Sequence, residues 1–186
     1  MSVIVFIPGR EKLVPTIVRN MTNRTVYSVD VKVTARDDKG EIYAVGSGRT
    51  FAPEAVHPGE IAFGYVFLKV DMEDGYKFEF EVNTREKNRR KEKGLQIIEH
   101  KAMKTDKGYK KTDFLMGTIK NQHSTPLIYS QKLFYACFSD DGKLLKVNDR
   151  LVNMGDVPSG GTISFEADTS LESCSKYLLY AKGRPE

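Results

Sequence analysis

The stretch VDVKVTARDDKG, from Val29 to Gly40, decides the fold class of this 186-residue chain. Its first eight residues alternate between apolar and polar side chains, and this period of two is typical of a half-buried β-strand. The residues from Asp37 onward favour a tight turn, because aspartate bonds to the nearby backbone and glycine tolerates a positive φ. The stretch therefore predicts a long strand that enters a hairpin.

A second copy of this pattern lies about one hundred residues downstream, in CFSDDGKLLK from Cys137 to Lys146. Five features recur in the same order at offsets of 101 or 102 residues. They are Asn20 with Asn121, Ala35 with Cys137, Gly40 with Gly142, Pro58-Gly59 with Gly160-Gly161, and Phe78 with Leu179. The repeat predicts two copies of one domain, residues 1–86 and 95–186, joined by a basic linker at 87–94.

Each copy is predicted to be all-β, because short apolar-rich segments alternate with clusters of Gly, Pro, Asn and Asp. No segment shows a sustained helical period with caps at both ends. The predicted strands are Val3–Ile7, Val14–Asn20, Val26–Arg36, Glu41–Ser47, Glu60–Leu68, Gly75–Asn83, Leu95–Lys101, Leu115–Asn121, Ser130–Ser139, Leu144–Val147, Thr162–Ala167 and Lys176–Ala181. Short turns between such strands favour an antiparallel sandwich, in which each sheet buries one face.

The order of these features resembles the FxLYD domain. The shared features are a strand that ends in Asn, the long alternating strand, the Asp-Asp turn with glycine, and the later stretch Pro58–Phe63. Tyr135–Ser139 stands where the family has F-x-L-Y-D, and Val33–Asp37 keeps only the last residue of that motif. The resemblance implies two tandem immunoglobulin-like β-sandwiches of a bacterial envelope or secreted protein, without catalytic residues.

The residue types that carry chemistry are scattered. His57, His100 and His123 each lack a second histidine or a cysteine at metal-ligand spacing. No nucleophile elbow and no phosphate-binding glycine loop is present in the sequence. Calcium needs six to eight oxygen ligands, whereas the adjacent aspartates of each turn point to opposite faces of a strand. We therefore predict no catalytic, cofactor or metal site, and we expect that the protein is not an enzyme.

Two cysteines leave two alternatives open. Cys137 matches the inward-facing Ala35 of the first copy, and Cys174 lies just before the last strand. Two free thiols are the simpler interpretation, because the first copy has no cysteine and its fold does not require the bond. The alternative is a disulfide within the second domain, which would indicate an oxidising compartment.

The positive charge of the chain is concentrated at the junction of the two copies. Residues 85–111 contain eleven Lys and Arg against four Asp and Glu, a net charge of +7, so the rest of the chain carries −3. Arg89, Arg90, Lys91 and Lys93 are the candidate anion-binding residues, for an acidic envelope polymer, lipid headgroups or nucleic acid. Nucleic acid is the weaker expectation, because Tyr109 is the only aromatic residue available there for base stacking. A solvated linker is the simpler interpretation.

The stretch NMTNRT, from Asn20 to Thr25, contains two adjacent N-glycosylation acceptor motifs. Because Asn20 matches Asn121, which lies in no such motif, we predict that Asn20 forms a turn.

We expect a non-catalytic binding or spacer protein of the cell envelope or extracellular space, whose partner is a protein or an envelope polymer. The alternative is an anion-binding protein that uses the basic junction. The sequence contains no apolar stretch of about 20 residues that could span a membrane. The N-terminus has too few apolar residues for an intact signal peptide, so the protein is expected either to be cytoplasmic or to have lost a signal or anchor. Of the two, the extracytoplasmic location is the favoured expectation.

Overall fold

The computed structural model describes residues 2–5, 13–48, 50–68, 77–87, 93–106, 111–153, 155–169 and 174–185. All regular secondary structure in these ranges is β-strand, which confirms the prediction of an all-β protein with two sandwiches. The chain divides into two compact units, Met1–Arg89 with Lys143–Asn148 and Arg90–Gly142 with Asp149–Glu186. Each unit is described separately below.

Among the described residues, the first unit contains eight complete strands in two antiparallel layers. They are β1 (Ser2–Val5), β2 (Leu13–Arg19), β3 (Val26–Arg36), β4 (Ile42–Gly48), β5 (Phe51–Ala52), β6 (Ala55–Val56), β7 (Ile61–Phe67) and β8 (Lys77–Arg85). One layer consists of β1, β2, β7 and β5, and the other of β4, β3, β8 and β6. Within the described ranges, one pair of residues joins the two layers by backbone pairing, Ser47 of β4 and Phe67 of β7.

Six further strands lie in the described part of the chain, and all of them belong to the second unit except the first five residues of the fourth, Leu144–Asn148, which belong to the first unit. They are β9 (Lys93–Asp106), β10 (Lys111–Lys120), β11 (Leu127–Phe138), β12 (Leu144–Asn153), β13 (Thr162–Asp168) and β14 (Lys176–Pro185). The strand order is β12-β11-β14-β9-β10-β13. Residues Lys93 to Leu95 of β9 pair with β14, and from Gln96 onward β9 pairs with β10. Strand β9 therefore passes from one layer of the sandwich to the other.

The core of each unit is formed by the inward faces of its strands. Strand β3 is an example, in which Val29, Val31, Val33 and Ala35 are almost fully buried and the residues between them are more exposed. The first core also includes Val14, Val18 and Val66, and the second includes Leu115, Ile119, Leu133, Tyr135 and Phe165. The alternation in the sequence is thus the alternation between core and surface.

A buried asparagine fixes the same corner in both units. The Asn20 side chain is fully buried, and its Nδ2 atom donates to the carbonyl oxygens of Arg24 (2.8 Å) and Val56 (2.9 Å). Its Oδ1 atom accepts the backbone N–H of Thr22 at 3.0 Å. The Asn20 carbonyl accepts the backbone N–H of Gly59 at 2.8 Å.

Asn121 makes the same hydrogen bonds in the second unit, and each of its partners lies 101 residues after the corresponding partner of Asn20. Its Nδ2 atom donates to Thr125 (3.0 Å) and Val157 (3.1 Å), and its Oδ1 atom accepts the His123 N–H at 3.0 Å. Gly160 donates its N–H to the Asn121 carbonyl at 2.9 Å, as Gly59 does in the first unit. The predicted turn role of Asn20 is confirmed. The alignment of Gly59 with Gly161 is corrected, because the bonds show that Gly160 is the counterpart of Gly59.

A second repeated feature is a serine with positive φ in the long strand of each unit. Ser28 has φ 51° and Ser130 has φ 31°, and each lies at a shift of register against the neighbouring strand. Non-glycine residues seldom adopt this conformation, and β-bulges are places where they do. Both long strands are therefore bent at matching points.

The twelve predicted strands all occur, with differences at their ends, and the predicted ends Ile7 and Gly75 lie outside the described residues. Strand β3 has the predicted bounds, whereas β9 begins at Lys93, inside the predicted linker, and continues to Asp106. Strand β12 extends to Asn153, beyond the predicted end at Val147. The short strands β5 and β6 were not predicted, because two residues are too few to show a period.

Candidate binding surfaces

The basic junction is only partly described by the structure. Arg89, Arg90 and Lys91 lie outside the described residues. Lys93 is the first residue of β9, where it is exposed and lies opposite Gly183 of β14. Lys93 therefore belongs to a strand and not to the linker, and the predicted anion site stays a prediction.

The two cysteines are joined in a disulfide. Cys137 is fully buried on the inward face of β11, as its match with Ala35 predicts. Cys174 precedes β14, and the Cα atoms of the two residues are 5.6 Å apart, within the range that disulfides require. Of the two alternatives left open by the sequence, the structure has the disulfide, and the interpretation as free thiols is wrong.

The two Asp-Asp stretches, Asp37–Gly40 and Asp140–Gly142, are hairpin turns. Asp37 Oδ1 accepts the backbone N–H groups of Lys39 (3.0 Å) and Glu41 (2.8 Å). Gly40, with φ 84°, donates its N–H to the Asp37 carbonyl at 3.1 Å. The carboxylate is thus used to close the turn between β3 and β4.

The corresponding turn between β11 and β12 uses a serine in place of the first aspartate. Gly142, with φ 81°, donates its N–H to the Ser139 carbonyl at 3.0 Å, and the Ser139 hydroxyl bonds to the Asp141 carboxylate. Within the described ranges, no three His, Cys, Asp or Glu side chains are grouped in a way that could hold a metal ion.

The histidines have separate local roles. His57 Nδ1 lies 2.9 Å from the Thr25 hydroxyl at the exposed corner of the first unit. His123 Nε2 lies 2.7 Å from the Gly94 carbonyl, so it links the β10–β11 loop to β9. His100 is exposed on β9. The first two therefore bond to neighbouring loops and strands.

The first unit exposes a group of large apolar side chains, Ile42, Tyr43, Val45 and Phe67, which we call the β4 patch. Their exposed fractions are 59%, 49%, 59% and 43%. Val45 and Phe67 also border an open depression of about 310 Å³ together with Lys32. Single exposed apolar residues are ordinary, whereas several on one strand and its neighbour indicate an interaction surface.

Ion pairs lie beside the β4 patch on the same layer. Lys32 Nζ lies 3.8 Å from Glu81 Oε2, and Arg36 Nε lies 3.0 Å from Glu79 Oε1, both between β3 and β8. An apolar centre with a charged rim is the usual composition of a protein-binding surface.

Strand β4 contains the sequence signal that could have revealed this patch. Its buried positions hold the small residues Ala44 and Gly46, while the larger Tyr43 and Val45 are exposed. A strand that only covers a core would have the opposite distribution of sizes.

The second unit has a similar open depression, of about 350 Å³, on the sheet formed by β9, β10 and β13. Met103 and Met116, which are 41% and 39% exposed, lie along it with Glu99 and Lys101. Its surface is thus partly apolar and partly charged, and methionine side chains adapt readily to different partners.

The comparisons with known proteins leave the family of the chain open. No protein-family model matches it, and no curated protein sequence matches it. A solved structure of the transglutaminase from red sea bream aligns with 98% of this chain at a TM-score of 0.27 and 10% identity. The chain spans 29% of that protein's length.

The described residues include no helix with the length and hydropathy that crossing a bilayer requires.

Proposed function

We propose that the protein is a non-catalytic binding or spacer module that contacts a protein partner through the β4 patch. The observation that carries the proposal is the exposure of Ile42, Tyr43, Val45 and Phe67 on one strand and its neighbour. Burial of such side chains contributes about 25 cal/mol per Å² of apolar surface, which favours a partner that covers them. The ion pairs beside the patch would orient that partner.

The proposed location is the cell envelope or the extracellular space. The disulfide between Cys137 and Cys174 supports it, because such bonds persist mainly in oxidising compartments. The resemblance to tandem FxLYD domains of bacterial envelope proteins is part of the same proposal. Because a fold alone does not determine a role, the β4 patch supplies the physical basis for binding.

The second candidate function is anion binding at the basic junction, with an acidic envelope polymer as the ligand. The net charge of +7 over residues 85–111 favours it, and three of the basic residues counted there, Lys93, Lys101 and Lys104, are exposed along β9. Binding of this kind falls steeply with salt concentration.

One experiment separates the two functions. The purified chain would be used as bait against envelope and soluble extracts of its source cells, at low and high salt, with the bound material identified by mass spectrometry. Three variants accompany it: Val45→Asp in the patch, the triple change of Arg89, Arg90 and Lys91 to serine, and the control Met21→Ser. Met21 is 65% exposed and lies outside the patch.

The proposal predicts a specific envelope protein that is lost with Val45→Asp but retained at high salt, with the triple variant and with the control. Loss at high salt and with the triple variant, but not with Val45→Asp, would favour the anion-binding function. Capture that survives all three variants would refute both proposed surfaces.

A further inference from the structure

The sheet of the second unit ends in an open strand edge. From Gln96 to Asp106, β9 pairs with β10 on one side, and among the described strands none pairs with its other edge over this length. Residues 98–104 are all exposed. An edge of this kind carries a row of backbone N–H and C=O groups that can pair with another strand.

The charges on this edge are arranged symmetrically about His100. Glu99 and Lys101 lie opposite Thr118 and Met116 of β10, so both side chains project from the same face of the sheet. Each is exposed, and Glu99 accepts a hydrogen bond from the Thr118 hydroxyl at 3.1 Å. When two copies of such a strand pair in antiparallel orientation about the central residue, the Glu of each copy lies opposite the Lys of the other.

We propose that two copies of the chain associate through their β9 edges, antiparallel, with the two-fold axis at His100. Glu99 of each copy then lies directly opposite Lys101 of the other, and the two His100 residues face each other. This contact is isologous, since the same residues occur on both sides. It would join the β9-β10-β13 sheets of two copies into one continuous sheet.

Charge also selects this register over its neighbours. Opposite residues in an antiparallel pair point to the same face. The nearest alternative registers therefore move the two-fold axis by one residue, to position 99 or to position 101. One such shift places Glu99 opposite Glu99 of the second copy, and the other places Lys101 opposite Lys101. Both oppose like charges, which destabilises a strand pair.

The same edge carries features that disfavour unrelated strands. The pairing of β9 with β10 shifts by one residue at Ile98, between Thr118 and Ile119, and such a bulge interrupts a regular ladder. Lys101 and Lys104 oppose pairing with other basic or apolar edges. Ile98 and Met103, which are 52% and 41% exposed, would be partly covered by the second copy. The edge is thus suited to one specific partner, a second copy of itself.

A charge-exchange series tests the proposal by sedimentation equilibrium at low salt. Lys101→Glu and Glu99→Lys should each weaken dimerisation about tenfold or more, because each replaces two attractive pairs by two repulsive ones. The double variant that exchanges both charges should return to within about threefold of the original dissociation constant. A wild-type chain that stays monomeric up to about 0.5 mM, or a double variant no tighter than the single variants, would overturn the proposal.

A cysteine series tests the register independently of charge. His100→Cys places two thiols at the two-fold axis, where opposite Cα atoms lie about 4.5–5.5 Å apart, a distance that a disulfide can bridge. Both native cysteines are already paired, so the new thiol is the only free one. Under mild oxidation His100→Cys should give a covalent dimer, while the control Ala102→Cys should stay monomeric. Preferential cross-linking of Ala102→Cys, or of neither variant, would overturn the proposed pairing.

Discussion

Replacement of Asn20 by alanine should lower the free energy of unfolding of the first unit by about 2–5 kcal/mol. The substitution leaves the Val56 carbonyl, which Asn20 reaches at 2.9 Å, buried without this donor, at a cost of about 1–3 kcal/mol. The Arg24 carbonyl and the Thr22 N–H, at 2.8 Å and 3.0 Å, are only part-buried and should each add about 0.5–1 kcal/mol. The estimate is the sum of these three contributions.

Two further variants separate the hydrogen bonds from the volume of the side chain. Asn20→Asp keeps the shape, but the carboxylate cannot donate to the two carbonyl oxygens, so it should destabilise at least as much as alanine. Asn23→Ala changes an exposed residue in the same turn and should alter stability by less than about 0.5 kcal/mol. Asn121→Ala is the matched change in the second unit and should destabilise only that unit.

Amide hydrogen exchange, read peptide by peptide with mass spectrometry, is the suitable assay, because two sandwiches in one chain need not unfold in a single transition. The slowest amides of β2, β3 and β7 report the first unit, and those of β10 and β11 report the second. If Asn20→Ala and Asn20→Asp both leave the slowest amides of the first unit within about 1 kcal/mol of the original protein, the argument from buried hydrogen bonds is refuted.

Two further predictions concern the disulfide and the acceptor motifs. Changing Cys137 and Cys174 together to alanine should destabilise the second unit by about 4 kcal/mol, the loop entropy expected for their separation of 37 residues, and urea unfolding would measure it. In a eukaryotic secretory host, a glycan on Asn20 would occupy the buried Nδ2 atom and block folding. We therefore expect Thr22→Ala, which removes that motif, to raise secretion and to leave one glycan, on the exposed Asn23; abundant secreted protein with a glycan on Asn20 would contradict this.

The sequence predicts the strands well where one face is apolar and the other polar. Strand β3 has the predicted bounds because its alternation runs without interruption from Val29 to Arg36. The predicted strand Leu95–Lys101 is shorter than β9, because charged residues occupy both faces beyond Ile98 and the sequence there shows no alternation of apolar and polar residues. The length of β9 is set by its backbone pairing with β10. The pattern of side chains does not show where this pairing ends.

The features that could not be predicted depend on distances between remote residues. The match of Asn20 with Asn121 indicates a turn, but the bond to Val56, 36 residues away, follows only from the packed sandwich. The same applies to the disulfide, because the separation of Cys137 and Cys174 is fixed by how the loop before β14 returns to the end of β11. Three of the four candidate anion-binding residues at the basic junction, Arg89, Arg90 and Lys91, lie outside the described residues.

Comparison of the two copies indicates where function should be sought. The features present in both, such as the buried asparagine and the glycine turns, fix the backbone, and changing them costs stability because buried polar groups lose their partners. The features present in only one copy are of two kinds. The disulfide of Cys137, where the first unit has Ala35, is buried and stabilises the fold, whereas the Glu99 and Lys101 pair lies on an exposed edge. Exposed residues can change at a cost below about 0.5 kcal/mol, so after duplication they are free to become different in the two copies. Mutations aimed at binding should therefore target exposed residues such as Val45 and Lys101, and mutations aimed at folding should target the asparagines.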